Sequence, residues 1–366
     1  MSLNAEQRRA LRRACDPIVP GFAIASPADE LRRLAAWYDE HSIEDDAYGE
    51  GPLVQDFERK VATLLGKDAA VFVPSGIMAQ LIALRIHMEA ARLDRFGMHP
   101  TSHLAHHEHE AHVAVMRAHA VPLGDRLRPM VAADLDASRQ PMACAIVELP
   151  IREAGGQLPS WDELEALKAT ARDRGIALHM DGARLWESAA RFDRSYAEIA
   201  DGFASVYVSL YKGIGGPAGA LLAGSDDFIA QARLWRKRMG GTLYHLSPLV
   251  APAAMRFDER IALMPALYRR AVDFAASLPL VRLRVDPEVP HTNLLHLYLD
   301  ATADAAMDAR DAVAADRRCW LFDRARPAEV PGWSVTELYV GDRLLALPDD
   351  RTSALFAALC ERLPAK

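Results

Sequence analysis

The sequence predicts an α/β protein: a large domain with a mostly parallel sheet, followed by a smaller α+β domain at the C-terminal end. Three observations predict it. Short apolar runs alternate with amphipathic stretches from about residue 69 to about residue 225, the pattern of βα units. The 366 residues exceed one average domain and suit one large domain plus a smaller one. Beyond Pro248 the alternation gives way to a long helical region and then to a second, small set of strands. The expected division is an N-terminal helical segment over residues 1–44, a large domain over 45–255 and a small domain over 256–366.

The elements follow in order. Residues 4 to about 14 read as an exposed helix crowded by Arg8, Arg9, Arg12 and Arg13, and Pro17 and Pro20 end it. Pro27 suits the first turn of a second helix. The stretch Asp45–Pro52 is turn-rich, and a helix follows with Val54, Phe57, Val61, Leu64 and Leu65 on one face. Ala69–Val73 reads as a buried strand, Pro74-Ser75-Gly76 as a turn and Ile77–Met88 as a helix. Ala143–Glu148 is the next strand; Ser160 then caps a helix over Trp161–Arg174, with Glu163 completing a capping box. Strands follow at Ile176–Met180, Val206–Leu210 and Ala218–Ala223. In the small domain a helix runs to about 278, strands are expected at Thr292–Leu299, Cys319–Phe322 and Val335–Val340, and a helix at about 303–315.

Composition excludes several classes of function. A net charge of −7 argues against nucleic acid as the main partner. The N-terminus is charged and lacks an apolar signal core, and no apolar stretch is long enough to span a bilayer, so no membrane partner is expected. The four cysteines are scattered, with no Cys-x-x-Cys pair, and read as reduced thiols in a cytoplasmic protein.

In sheets of this kind ligands gather at the carboxyl ends of strands, and Ser75, Asp181 and Lys212 each follow a predicted strand. Lys212 stands in Ser209-Leu-Tyr-Lys-Gly-Ile-Gly-Gly216, an amine at an apolar strand end with glycines clearing space around it. A surface lysine is the commonest alternative, and the segment lacks the spacing of a P-loop. Asp181, in His179-Met-Asp-Gly-Ala-Arg184, puts a carboxylate at the end of a buried strand, a costly placement unless it is paired. Capping of a following helix is its other reading. A lysine amine beside such a carboxylate fits pyridoxal 5′-phosphate. The lysine forms the Schiff base, and the Asp keeps the ring nitrogen protonated. Arg184 could hold a substrate carboxylate in bidentate fashion, or form an ion pair with Asp181 or Glu187. Ser75 and Gly76 lie between strand and helix, where backbone N–H groups favour phosphate.

The run His103-Leu-Ala-His-His-Glu-His-Glu-Ala-His112 holds five histidines. It lacks His-Glu-x-x-His spacing and no other ligand set is evident, so no metal is expected. A solvated His-rich segment is one reading. The other is that one imidazole stacks on the pyridine ring, His107 by first choice, with His109 and His112 behind it.

Together these residues resemble the threonine aldolase and β-eliminating lyase family of fold-type I pyridoxal-phosphate enzymes. The matching stretches are Asp45-Asp-Ala-Tyr-Gly-Glu-Gly-Pro, Phe72-Val-Pro-Ser-Gly-Ile-Met-Ala, Leu178-His-Met-Asp-Gly-Ala-Arg-Leu, Tyr211-Lys-Gly-Ile-Gly-Gly-Pro-Ala-Gly and Trp235-Arg-Lys-Arg-Met-Gly-Gly, in the family's order. The resemblance implies a fold-type I transferase-like large domain and retro-aldol cleavage of a β-hydroxy-α-amino acid to glycine and an aldehyde. The alternative on the same cofactor is β-elimination, racemisation or transamination of another amino acid. It implies Lys212 as the Schiff-base lysine, Asp181 as the pyridine partner, Ser75, Gly76 and Ile77 as the phosphate cradle and Arg184 as the carboxylate site. Tyr48 would reach the site of a neighbouring subunit in a homodimer or homotetramer with sites at the interface. The family's Glu-Asn-Thr-His segment reads here as Pro150-Ile-Arg-Glu153, with Glu153 in the place of the histidine. Glu153 and His107 are therefore the candidate bases, with His109 and His112 as further options.

Overall fold

The computed structural model describes residues 3–23 and 25–365, and the chain divides into two compact units. One comprises Ala25–Glu153 and Leu158–Met264; the other comprises Met1–Ile24, Ala154–Gln157 and Pro265–Lys366.

The larger unit is built on seven strands: β1 Ala69–Val73, β2 Arg95–Met98, β3 His119–Pro122, β4 Cys144–Glu148, β5 Ala177–Gly182, β6 Ser205–Ser209 and β7 Ala220–Gly224. Their spatial order is β1-β7-β6-β5-β4-β2-β3. Strands β2 to β6 pair in parallel, and β7 lies antiparallel between β1 and β6. Every residue of β4, β6 and β7 is buried. That is why those segments are continuous apolar runs rather than alternating ones: helices cover both faces of the sheet. The helix Gly76–Ala91 returns from β1. It buries Ala79, Leu81, Ile82, Ala83, Leu84 and Ile86, so it is apolar nearly all round and sits between two core clusters rather than on the surface.

Pairing register places the polar residues of the sheet. Glu148 on β4 is opposite Asp181 on β5, and Asp181 is opposite Tyr207 on β6. Paired residues on adjacent strands share a face, so these three side chains stand in a row near the carboxyl ends of the strands.

The smaller unit carries the antiparallel sheet β10-β11-β9-β8, made of β8 Leu283–Asp286, β9 Leu294–Leu299, β10 Arg326–Pro327 and β11 Ser334–Tyr339. Leu295, Leu297, Leu299 and Leu338 pack with Val313 of the helix Ala303–Arg317 and Phe356 of the helix Asp349–Arg362. The N-terminal helix Ala5–Arg13 joins this unit through Arg8, whose Nε donates to Asp311 at 2.7 Å.

The mostly parallel sheet and the separate small sheet are as expected from the sequence. Two differences have physical causes. Strands β2 and β3 escape the periodicity because both are four residues long, one carrying Gly97 and the other ending on Pro122. Gly97 lets Leu123 pack close against β2: a Cβ there would meet Leu123 Cδ1 at 2.4 Å. The expected strand Cys319–Phe322 is only an isolated bridge between Trp320 and Ile18. The buried Arg310 guanidinium lies 3.8 Å from the Trp320 ring and donates to the carbonyls of Phe322 and Asp323, taking acceptors that a strand partner would use. All four cysteines are free, and among the described residues no helix is long and apolar enough to cross a membrane.

Candidate active site

Lys212 follows β6 in a loop held by its carbonyls. Arg260 Nε donates to Gly213 O at 3.0 Å, Arg256 Nη1 to Gly215 O at 2.8 Å, and the Gly215 N–H to Lys212 O at 3.0 Å. The glycines let the chain pass its neighbours closely: a Cβ on Gly213 would lie 2.6 Å from Glu187 Oε1. Burial first, and then the Arg184 guanidinium, lower the Lys212 ammonium to about 8, against the pull of Asp181, Glu148 and Glu187. An amine in that range is partly neutral near pH 7 and can act as a nucleophile.

Asp181 is 2% exposed and accepts the Ala183 N–H at 3.1 Å. Burial raises its carboxyl above the usual range, while Lys212 and His103 pull it down. Glu148, its neighbour in the row, is pushed up to about 7 by burial and by Asp181. It accepts the backbone N–H groups of His103 and Arg152, each at 3.1 Å, and so ties the His103 segment to the sheet.

Ser75, Gly76 and Ile77 open the helix after β1, and Ser75 Oγ caps it by accepting the Met78 N–H at 3.2 Å. These three residues line one cavity of ≈ 280 Å³ together with Asp181 and Lys212. Five residues singled out in the sequence are thus brought together by the fold.

The histidine run divides differently. His103 lines the cavity; its Nδ1 is 2.9 Å from Oε1 of Glu108, which also lines it, and Glu108 Oε2 is buried without a hydrogen-bond partner. His107, His109 and His112 are not among the lining residues. His107 Nε2 is 2.9 Å from Glu153 Oε1 and 3.3 Å from Arg152 Nη1, so these candidates form a pair of their own. His109 is exposed with φ of 48°, and His112 is buried edge-on against Phe96, 5.5 Å between ring centroids. Sequence reasoning missed His103 and Glu108. The signal was β2: His103 lies just beyond the carboxyl end of a strand too short to be read.

Arg184 follows Asp181 on the turn after β5. Its Nε is buried with no hydrogen-bond partner, so neither Asp181 nor Glu187 occupies that nitrogen. Tyr48 is 55% exposed with φ of 57°, its ring edge-on to Tyr244 at 5.4 Å and its N–H donating to Tyr244 O at 2.8 Å. The turn is anchored by buried Asp46, which accepts the N–H groups of Gly49, Leu246 and Ser247. Against the cost of burial, those bonds hold its carboxyl below the usual range. Among the described residues, no group of three or more His, Cys, Asp or Glu is placed to hold a metal ion.

A family model for beta-eliminating lyases matches residues 24–302. The chain is 27% identical over 310 residues to a probable low-specificity L-threonine aldolase of Arabidopsis thaliana, covering 79% of this chain and 83% of that protein. It superposes on a proposed L-allo-threonine aldolase of Listeria monocytogenes with a TM-score of 0.91 and 34% identity, over 97% of this chain and 99% of the other. A proposed aromatic amino acid beta-eliminating lyase/threonine aldolase of an Exiguobacterium species gives 0.90 and 34% over the same shares.

Proposed function

The chain belongs to the beta-eliminating lyase family and is a lyase, and on that premise we propose that it uses pyridoxal 5′-phosphate to cleave a β-hydroxy-α-amino acid such as threonine into glycine and an aldehyde. The observation that carries the reading is the single cavity holding the Lys212 amine, the Asp181 carboxylate and the glycine-headed helix start. The residues fit the cofactor chemically. Gly76 leaves room where a Cβ would lie 2.2 Å from Tyr207 Oη, and helix N-termini favour phosphate. When bound, the cofactor supplies an electron sink for the charge left on the substrate α-carbon.

The chain's own residues do the rest. Lys212, lowered to about 8, offers an uncharged amine for covalent attachment. Asp181 would be the counter-ion for a protonated ring nitrogen, whose positive charge would offset the burial that raises its carboxyl. Arg184, with a buried unpaired Nε, would bind the substrate carboxylate and so set the orientation of the bonds at the α-carbon. His103, oriented by Glu108, takes the proton from the β-hydroxyl as the Cα–Cβ bond breaks. Glu153, paired with His107, is the second candidate for that proton. Tyr48, presented on the Asp46-anchored turn, acts in the site of a neighbouring subunit of a homo-oligomer.

Product analysis tests the reading. Purified protein is incubated with threonine, allo-threonine and phenylserine in both enantiomers. Glycine plus the matching aldehyde is expected; keto acid and ammonia would contradict the aldol reading. Lys212→Ala is expected to lower turnover by at least about a thousandfold.

A further inference from the structure

The smaller unit holds a cavity of ≈ 390 Å³ that shares no lining residue with the catalytic one. The segment after the N-terminal helix forms one wall, with Asp16, Pro17 and Ile18. The stretch containing the helices Asp342–Leu345 and Asp349–Arg362 forms the other, with Arg343, Leu347 and Arg351. Hydrogen bonds to the backbone fix both walls. On the first, the Asp16 N–H donates to Arg318 O at 2.8 Å and the Trp320 N–H to Pro17 O at 3.0 Å. On the second, Arg270 donates from Nε to Leu344 O at 2.9 Å and from Nη2 to Leu347 O at 2.8 Å.

Arg270 also pairs with Asp349, and Arg12 pairs with Asp323, so those cations are committed. Arg343 and Arg351 are not: among the described residues, neither guanidinium makes a hydrogen bond or an ion pair. The Asp16 carboxylate makes none either. Burial, then the Arg12 guanidinium, press the ionisation of Arg343 below its usual range, and Asp323, Asp342 and Asp16 offset this only in part.

Solvated arginines are common on protein surfaces and by themselves imply nothing. Here two of them share a cleft with an acid that pairs with neither. An anion alone would meet Asp16, and a cation alone would meet the guanidinium groups. A ligand carrying both charges satisfies all three side chains. Pro17, Ile18 and Leu347 supply apolar surface for an aliphatic group beside them. We propose that this cavity binds a small zwitterion, an α-amino acid with an aliphatic side chain, its carboxylate at Arg343 and Arg351 and its ammonium at Asp16.

Equilibrium dialysis with labelled L-leucine, which has no β-hydroxyl to cleave, tests the assignment. Dialysis counts the ligand bound per chain, and the visible absorbance of the cofactor-loaded protein reports leucine in the catalytic cavity. The wild-type protein is expected to take up one leucine per chain beyond what that absorbance accounts for. Arg343→Gln and Asp16→Asn are each expected to weaken the extra site by about tenfold and to leave the absorbance change as in wild type. 4-Methylpentanoate, which is leucine without its ammonium, is expected to bind the wild type more weakly than leucine does. Asp16→Asn is expected to bind it more tightly than the wild type does. No extra leucine in the wild type would overturn the assignment, as would an extra site that neither substitution weakens. Equal affinity of the wild type for leucine and 4-methylpentanoate would overturn it too, marking a plain anion site.

Discussion

Lys212 shows how one residue's surroundings set its chemistry. A lysine on the surface titrates near 10.5; this one is lowered to about 8, chiefly by burial and the Arg184 guanidinium. The neutral amine is the reacting form, and its share grows as pH rises through that value. The rate at which apo-protein captures pyridoxal phosphate is therefore expected to rise with pH around a midpoint near 8, as stopped-flow absorbance would read. A midpoint near 10.5 would mean that the amine is solvated. Glu148 and Asp181 show the opposite case: carboxyls side by side at strand ends, both raised by burial, stabilised only by backbone N–H groups and nearby cations.

At the scale of elements, a buried polar chain ties the cradle helix to the sheet. Ser205 Oγ on β6 is 2.7 Å from His179 Nδ1 on β5 and 2.7 Å from His87 Nε2 on the helix Gly76–Ala91, and His179 Nε2 is 2.8 Å from Gln80 Oε1 of the same helix. One hydroxyl proton serves two imidazoles, so Ser205 donates to one and accepts from the other. Ser205→Ala leaves both ring nitrogens without that partner and is expected to cost about 1–3 kcal/mol in urea denaturation. Burial lowers His87 to about 4 and His179 to about 3, so both stay neutral in the folded chain. The unfolded chain binds these protons first as pH falls below about 6.5. Stability should therefore be full above that value and fall progressively toward pH 4, with a shallower slope in His179→Phe. A slope unchanged by that substitution would show that other groups dominate acid unfolding.

For the whole molecule, the exposed apolar side chains Tyr48, Leu243 and Tyr244 sit on two turns joined through Asp46 and Tyr244 O. In the proposed homo-oligomer this group would be covered by a neighbouring subunit. If Tyr48 acts in a neighbour's site, subunits bearing Lys212→Ala and subunits bearing Tyr48→Phe complement one another. Mixed after dissociation, they are expected to show activity above either parent alone. No gain on mixing, with heteromers confirmed by mass, would confine Tyr48 to its own subunit.

Five strands of the large sheet, β1 and β4 to β7, were legible in the sequence because buried strands leave continuous apolar runs, and Lys212, Asp181 and Ser75 each stand at the end of one. Their meeting in one cavity follows from the parallel pairing of β5 with β6 and from the two antiparallel pairings of β7, which point β1 the same way and so gather the three strand ends on one edge of the sheet. The choice among the histidines was not legible. Five imidazoles in ten residues have no distinguishing spacing, and the decision falls to β2, the Glu148 bond to the His103 N–H and the Glu108 carboxylate. Tyr207, which also lines the cavity, was hidden for a related reason: within an apolar strand its ring reads as core. The sequence by itself determined the α/β class, five of the strands and the residues at their ends, because those depend on local pattern. Only the tertiary structure decided which imidazole, which carboxylate and which phenol face the cavity, because that depends on strand register and on contacts between residues far apart in the chain.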